Sequence, residues 1–234
     1  MSRARSFAAA LALVLALGLP IAAFGAGGGG GGGGGSMSGS GSSPRELAMA
    51  HFENGEKQRK AGIEAITQAQ AASDEAARAA ALEQATAKFK RALRYYKDAT
   101  RADRRAYFAW NGSGFCHRML GDYETALSDY DRALKIEPGF PQAVEYRGEA
   151  VLNLGKLDEA KAAYMDLFGR ERPLADLLLR KMQAWVAAAR QSQQTPGAQA
   201  RLDEFAKWVD ERATLAQETA SLAPAPTVTE LASW

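Results

Sequence analysis

Apolar and small side chains recur at helical spacing through most of this chain, and Gly or Pro turns interrupt the pattern. The spacing predicts helices over 107–120, 123–136, 142–154 and 157–168. Gly121-Asp122 and Gly155-Lys156 separate the helices of each pair, at positions suited to a positive backbone angle. The sequence therefore predicts two successive helix hairpins in this region.

The two hairpins are copies of one repeat. A single constant offset relates Gly114 to Gly148, Gly121 to Gly155, Ala126 to Ala160 and Tyr130 to Tyr164. We expect the small residues to let paired helices approach closely, while each Tyr fills the space beside them. Because one hairpin cannot bury its apolar face alone, the hairpins must stack.

The middle unit carries a family resemblance. Its pattern consists of Trp110, Gly114, Gly121, Tyr123, Ala126, Tyr130, Ala133 and Pro138. This pattern resembles the tetratricopeptide repeat. The offset between the two units matches the period of that repeat. Ser113 and His117 depart from it, where the family prefers Leu and Tyr. The resemblance implies an all-α, right-handed α–α solenoid.

An earlier unit is longer than the other two. Gly55 and Gly62 have the same mutual spacing as Gly114 and Gly121, but they precede that pair by more than one repeat period. The extra residues form an Ala- and Gln-rich insert, 63–87. We interpret the insert as a prolongation of both helices into a longer hairpin; a disordered loop is the alternative. Three repeats are thus expected over 45–173.

The ends of the chain differ from the repeats. Residues 174–222 lack the repeat's glycines and predict a pair of capping helices, and residues 223–234 predict a disordered tail. Residues 1–25 have the charged, apolar and small-residue regions of a secretory signal peptide. Residues 26–44 form a Gly/Ser-rich flexible linker. We expect an exported bacterial protein, periplasmic or secreted; an uncleaved N-terminal membrane anchor is the alternative.

Composition narrows the function classes. Ile and Val are scarce beyond the glycine run, which excludes a large β-sheet. Loss of Arg3 and Arg5 with the signal peptide would leave 27 basic and 27 acidic residues, so nucleic-acid binding and adhesion to anionic membranes are not favoured. Membrane insertion is expected only if the signal stays uncleaved. The single Cys116 cannot close an intrachain disulfide.

The sequence contains no common catalytic or cofactor motif. There is no H-E-x-x-H, nucleophile elbow, P-loop or Cys pair. We therefore predict no catalytic residues, no metal site and no cofactor. The rival hypothesis is an enzyme whose residues converge in the groove, with His117 and Glu149 as an acid–base pair.

The family resemblance implies a concave groove lined by the first helix of each unit. The candidate peptide-binding residues are Phe108, Asn111, Phe115, Arg118, Met119, Glu145 and Glu149. Within this set Phe108, Phe115 and Met119 are expected to form an exposed apolar patch rimmed by Arg118 and Glu149. The alternative for Phe115 is a packing role against the adjoining helix.

Chaperone-binding members of the family hold a C-terminal carboxylate with a clamp of Lys and Asn side chains. The corresponding positions here hold Phe52, Glu56, Gly112, Gln142 and Tyr146, which do not form such a clamp. The resemblance therefore implies a non-catalytic scaffold for a protein or peptide of the cell envelope. Self-association through the capping helices, giving a homo-oligomer, is a further alternative.

Overall fold

The structure is a computed structural model that describes residues 42–192 and 195–220. All regular elements in those ranges are α-helices. They are α1 Pro44–Ala71, α2 Glu75–Ala102, α3 Tyr107–Met119, α4 Tyr123–Ile136, α5 Pro141–Asn153, α6 Leu157–Arg170, α7 Arg172–Arg190 and α8 Pro196–Ala220. The predicted signal peptide, the predicted linker up to residue 41 and the predicted tail lie outside the described residues.

The eight helices of the described ranges pack as sequential antiparallel hairpins in two layers. Helices α1, α3, α5 and α7, here called the A helices, contact one another in that order along one layer. Helices α2, α4, α6 and α8, the B helices, form the other layer. Each of α2, α4 and α6 packs between the A helix before it and the A helix after it. The architecture confirms the predicted all-α stack of hairpins.

The first hairpin is twice as long as the second and third because α1 and α2 each have 28 residues. Residues 63–71 continue α1, and residues 75–87 begin α2 after a short turn. Asp74 caps α2, since its carboxylate accepts a hydrogen bond from the Ala77 N–H at 2.8 Å. Ile66 and Ala69 are fully buried in this extension. The insert thus adds helical packing to the first hairpin.

Turn chemistry explains where the shorter helices begin and end. Gly121 and Gly155 have φ angles of 77° and 70°, the left-handed conformation predicted for both turns. Helix α6 ends at Arg170, before Pro173, and Pro173 lies in the first turn of α7, which begins at Arg172. The first turn has no intrahelical acceptor for its N–H groups, so Pro is tolerated there.

Glycine–tyrosine contacts set the distance between layers. A Cβ atom at Gly114 would lie 2.6 Å from the buried ring of Tyr130. The equivalent contact in the first hairpin joins Gly55 and Tyr96, where a Cβ would lie 2.5 Å from the ring. Gly62, by contrast, is not a turn residue like Gly121: it lies within α1 against Phe89. The insert therefore lengthens the hairpin without displacing its Gly–Tyr contact.

Helices α7 and α8 close the C-terminal end. Met182 and Val186 of α7 are buried in one cluster with Phe205 and Val209 of α8. The last B helix also reaches α6, where the rings of Tyr164 and Trp208 meet edge to face at 5.5 Å. The predicted capping pair is therefore packed onto the last repeat.

Candidate functional site

The candidate groove is the face along which neighbouring A helices meet, and its floor is a stack of aromatic and guanidinium groups. The Arg59 guanidinium of α1 lies 4.9 Å from the ring centre of Phe115 in α3. Arg118 lies 5.1 Å from the same ring and 5.2 Å from the ring of Tyr146 in α5. These cation–π contacts tie three consecutive A helices together.

Buried carboxylates neutralise both arginines of this floor. Arg59 Nε donates to Glu56 at 2.8 Å, and the Tyr96 hydroxyl donates to the same carboxylate at 2.5 Å. Arg118 donates to Glu149 at 2.7 Å, with 8% and 9% of the two side chains exposed. A desolvated pair of this kind is costly to break, because the remaining charge stays buried without compensation.

The expected exposure of Phe115 and Met119 was wrong. Each is only 3% exposed, and both belong to a core cluster with Ile66 and Leu120. The physical reason is that Arg59 and Arg118 cover the Phe115 ring, so the floor is filled by the protein's own side chains. Arg118 is likewise part of this buried floor and not of an exposed rim.

Phe108 is the one member of the expected apolar patch that stays half-buried. Its ring contacts Phe52 of α1 at 4.8 Å and Tyr107 at 5.6 Å, and Tyr107 in turn contacts Phe140 at 5.1 Å. Met49, 37% exposed, lies one turn before Phe52 on α1. We call these five residues the aromatic rim; they lie in the first half of α1 and at or before the N-terminal ends of α3 and α5.

Sequence reasoning missed three residues of the aromatic rim, namely Met49, Tyr107 and Phe140. The signal for Met49 was present, because the offset that relates Gly55 to Gly114 also relates Met49 to Phe108. Phe140 precedes Pro141 in the linker between α4 and α5, where no helical periodicity marks it.

Asn111 and Glu145 occupy equivalent positions on α3 and α5, and both are buried with unpaired oxygens. Asn111 is 9% and Glu145 0% exposed. No described residue donates a hydrogen bond to Asn111 Oδ1 or to either oxygen of Glu145. These acceptors form the polar part of the floor beside Glu149.

The pKa values of Glu145 and Glu149 shift in opposite directions. Burial, and then the neighbouring Glu149 carboxylate, raise the pKa of Glu145 well above its usual value. Burial also tends to raise the pKa of Glu149. The positive charges of Arg118 and Lys181 have a larger opposite effect, so the pKa of Glu149 lies below its usual value. The shared burial and the Arg118 contact of Glu149 thus push the pKa values of the two carboxyl groups in opposite directions.

The floor has no room for the asparagine of a carboxylate clamp. At Gly112, one of the clamp positions, a Cβ atom would lie 2.7 Å from the buried ring of Tyr96. Glu56, at another clamp position, places a carboxylate where a clamp needs a donor. The structure thus agrees with the sequence that this groove is not built to grip a terminal carboxylate.

His117 and Glu149, the rival acid–base pair, contact different partners. His117 Nδ1 lies 3.5 Å from Asp122 and its Nε2 3.9 Å from Asp129. Ser113 donates to Asp129 at 2.7 Å rather than to the imidazole, so the arrangement lacks a nucleophile–base contact. The structure brings His117 and Glu149 into separate clusters.

The remaining chemistry of the described ranges is sparse. Cys116 is fully buried, and burial raises the pKa of its thiol, which disfavours the reactive thiolate. Across residues 42–192 and 195–220, no three His, Cys, Asp or Glu side chains come together as a metal site would need. In the same ranges, none of the helices has the length and apolar character required to cross a bilayer.

Comparison with known proteins matches part of the chain. Residues 107–140, which form α3, α4 and the linker after them, match the model of the tetratricopeptide repeat. Over 90 residues the chain is 28% identical to a heat shock protein sti1 homolog of Schizosaccharomyces pombe. The match covers 38% of this chain and 15% of that relative.

Proposed function

We propose that this protein, which contains a tetratricopeptide repeat, is a non-catalytic scaffold that binds an apolar segment of a protein or peptide in the cell envelope. The aromatic rim carries the proposal. It presents half-buried rings and an accessible Met side chain near the ends of three successive A helices, so one extended segment can contact more than one hairpin. Binding energy at interfaces concentrates in such apolar and aromatic anchors.

The charge pairing in the floor of the groove also supports binding at the aromatic rim. Its charged side chains are already paired with one another, as Arg118 is with Glu149. A partner that had to replace those pairs would leave buried charges unsatisfied. The energetically favourable contact is therefore with the rim, and the floor holds the A helices in the register that the rim requires.

Localisation in the envelope rests on the sequence of residues 1–25, with its secretory pattern. N-terminal sequencing of the protein recovered from fractionated cells tests this part of the proposal. A mature chain that begins after Gly25 supports it, and a cytoplasmic chain that begins at Met1 contradicts it.

Selection of peptides from a random phage-displayed library on the full chain tests the binding function. One selected peptide is then synthesised and titrated calorimetrically. We expect Phe108→Ala to weaken its binding by about 1–3 kcal/mol. Met49→Ala should act in the same direction, because the side chain is exposed on the aromatic rim.

Met165→Ala is the matched control. Met165 is 48% exposed but lies on α6, in the layer of B helices, so its loss should not change the affinity. Equal weakening by Met49→Ala and Met165→Ala, or unchanged affinity in Phe108→Ala, would contradict binding at the rim.

A further inference from the structure

Residues 26–234 carry 27 basic and 27 acidic side chains, but these charges are unevenly distributed. Residues 88–105 contain eight Lys or Arg and two Asp. This segment covers the second half of α2 and the turn that follows it. Because long-range attraction depends on where charges lie, the net charge of the whole chain understates the field at this surface.

Four of these basic residues form a single row on α2. They follow each other at intervals of four, three and four residues, the spacing of one helix face. All four are exposed, and the row is about 17 Å long. We call it the basic stripe: Lys90, Arg94, Lys97 and Arg101. The opposite face of α2 carries the fully buried Phe89 and Tyr96.

The basic stripe is not a requirement of the repeat. One repeat period further along the chain, on α4, the same positions hold Glu124, Ser128, Asp131 and Lys135. A second period leads to α6, where they hold Asp158, Ala162, Met165 and Gly169. Since three B helices fold with such different residues at these positions, packing does not explain the row on α2.

The exposed end of the stripe can exchange its ionic contacts for those of a partner. Asp98 lies 3.4 Å from Arg101, but both side chains are largely exposed, at 45% and 68%. An exposed pair of this kind contributes little free energy and is readily exchanged for another anion. Arg104 and Arg105, both exposed, continue the positive surface beyond the end of α2.

The stripe lies close to the point where the N-terminal segment joins the fold. Helices α1 and α2 are antiparallel, and Ala48 near the start of α1 packs with Ala99 near the end of α2. The start of α1 therefore lies beside the Arg101 end of the stripe. The sequence that precedes α1 includes the uncharged run 7–24, whose secretory pattern predicts that it is directed to a membrane, whether it is cleaved there or retained.

We propose that the basic stripe binds the surface of a membrane that contains anionic phospholipids. A row of four to eight basic residues on one helix face is suited to a plane of phosphate headgroups. None of the four stripe positions is aromatic, and the neighbouring Tyr95 is half-buried, so a lipid surface fits the row better than single-stranded nucleic acid. The proposal concerns the face of α2 and does not depend on peptide binding at the rim.

The test measures partition of the full chain onto vesicles by co-sedimentation. Vesicles of phosphatidylcholine alone are compared with equimolar phosphatidylcholine and phosphatidylglycerol. The test variant combines Arg94→Gln, Lys97→Gln and Arg101→Gln. The control variant combines Arg180→Gln, Arg190→Gln and Arg201→Gln, which removes equal charge from exposed positions of α7 and α8.

The unaltered chain and the control variant should bind the anionic vesicles alike, and the test variant should bind on the order of a hundredfold more weakly. High salt should abolish this difference, because the Debye length falls to about 3 Å at 1 M. The N-terminal segment is present in every variant, so its own contribution cancels.

Three results would overturn the proposal. The first is that the test variant binds anionic vesicles as tightly as the unaltered chain does. The second is that the control variant loses as much binding as the test variant does. The third is tighter binding of the unaltered chain to a short DNA duplex than to the anionic vesicles, with that binding lost in the test variant. The last result would assign the stripe to nucleic acid instead.

Discussion

The floor of the groove and the outer face of α2 both carry rows of charged side chains, yet they use them in opposite ways. In the floor, Arg59 and Arg118 are buried, paired with carboxylates and stacked on Phe115. On α2, Arg94 and Lys97 are exposed to solvent. Charge on a solenoid surface therefore marks a binding site only where the protein has not already neutralised it.

The largest expected effect comes from breaking the buried pair. Arg118→Met leaves Glu149 buried with only Lys181, at 3.9 Å, as a described cationic partner. The free energy of unfolding should fall by about 3–5 kcal/mol, because an unpaired buried charge keeps its desolvation cost. Urea unfolding measures this loss. Arg94→Met on the stripe is the control and should change stability by less than about 0.5 kcal/mol.

Glycine substitutions sharpen the same comparison between floor and outer face. Gly112→Ala should cost about 1–3 kcal/mol, because the buried Tyr96 ring occupies the space that the new methyl group needs. Gly169 lies on α6 at the position equivalent to Arg101, and no described heavy atom would lie within 4 Å of its Cβ. Gly169→Ala should be neutral or stabilising. Equal costs at both positions would refute the close contact at Gly112.

The protonation of Glu145 gives a pH-dependent signature of the floor. Its folded-state pKa is raised, so the folded chain binds the proton more tightly than the unfolded chain. Stability should therefore fall as pH rises from the unfolded pKa of about 4.3 towards the folded value. Glu145→Gln removes the ionisable group. The free energy of unfolding of this variant, relative to that of the unaltered chain, should therefore increase as pH rises.

Calorimetric melting at increasing pH, from about pH 5 upwards, measures this difference, because that range lies above the unfolded pKa of the carboxyl group. Glu149 does not interfere, because its lowered pKa places its own contribution at more acidic pH. Parallel pH profiles for the two proteins would show that Glu145 is already ionised in the floor.

The smallest effect is expected from the stripe itself. The combined Arg94→Gln, Lys97→Gln and Arg101→Gln variant should keep its free energy of unfolding within about 1 kcal/mol, since exposed charges contribute little to folding. Urea unfolding of this variant beside Arg118→Met gives the direct contrast. A loss of several kcal/mol would place the stripe among the structural charges.

Much of the fold could be predicted from the sequence because local signals specify it. The repeat offset located α3 to α6 to within a turn at each end, and Gly121 and Gly155 marked both turns. Pro173 follows the end of α6 at Arg170 and also lies in the first turn of α7, because Pro is compatible with both positions. The predicted capping pair begins at residue 174, and α7 begins slightly earlier, at Arg172.

The site was harder to predict than the fold. Helical periodicity correctly assigned Phe115 and Met119 to one face of α3, but it does not report how deep that face is buried. The burial of this face depends on Arg59 and Tyr146, which belong to other hairpins and pack against the Phe115 ring. Contacts of this kind are set by tertiary packing rather than by spacing along the chain.

Methionine methyl groups offer the most direct test of where a peptide binds. Met49 lies on the aromatic rim, Met119 in the floor and Met165 on the opposite layer, with 37%, 3% and 48% of their surfaces exposed. The full chain carrying ¹³C-methyl methionine is titrated with a selected peptide and followed by NMR. If the peptide binds at the aromatic rim, the Met49 resonance shifts progressively while those of Met119 and Met165 stay in place. A shift of Met165, with Met49 unchanged, would contradict binding at the rim.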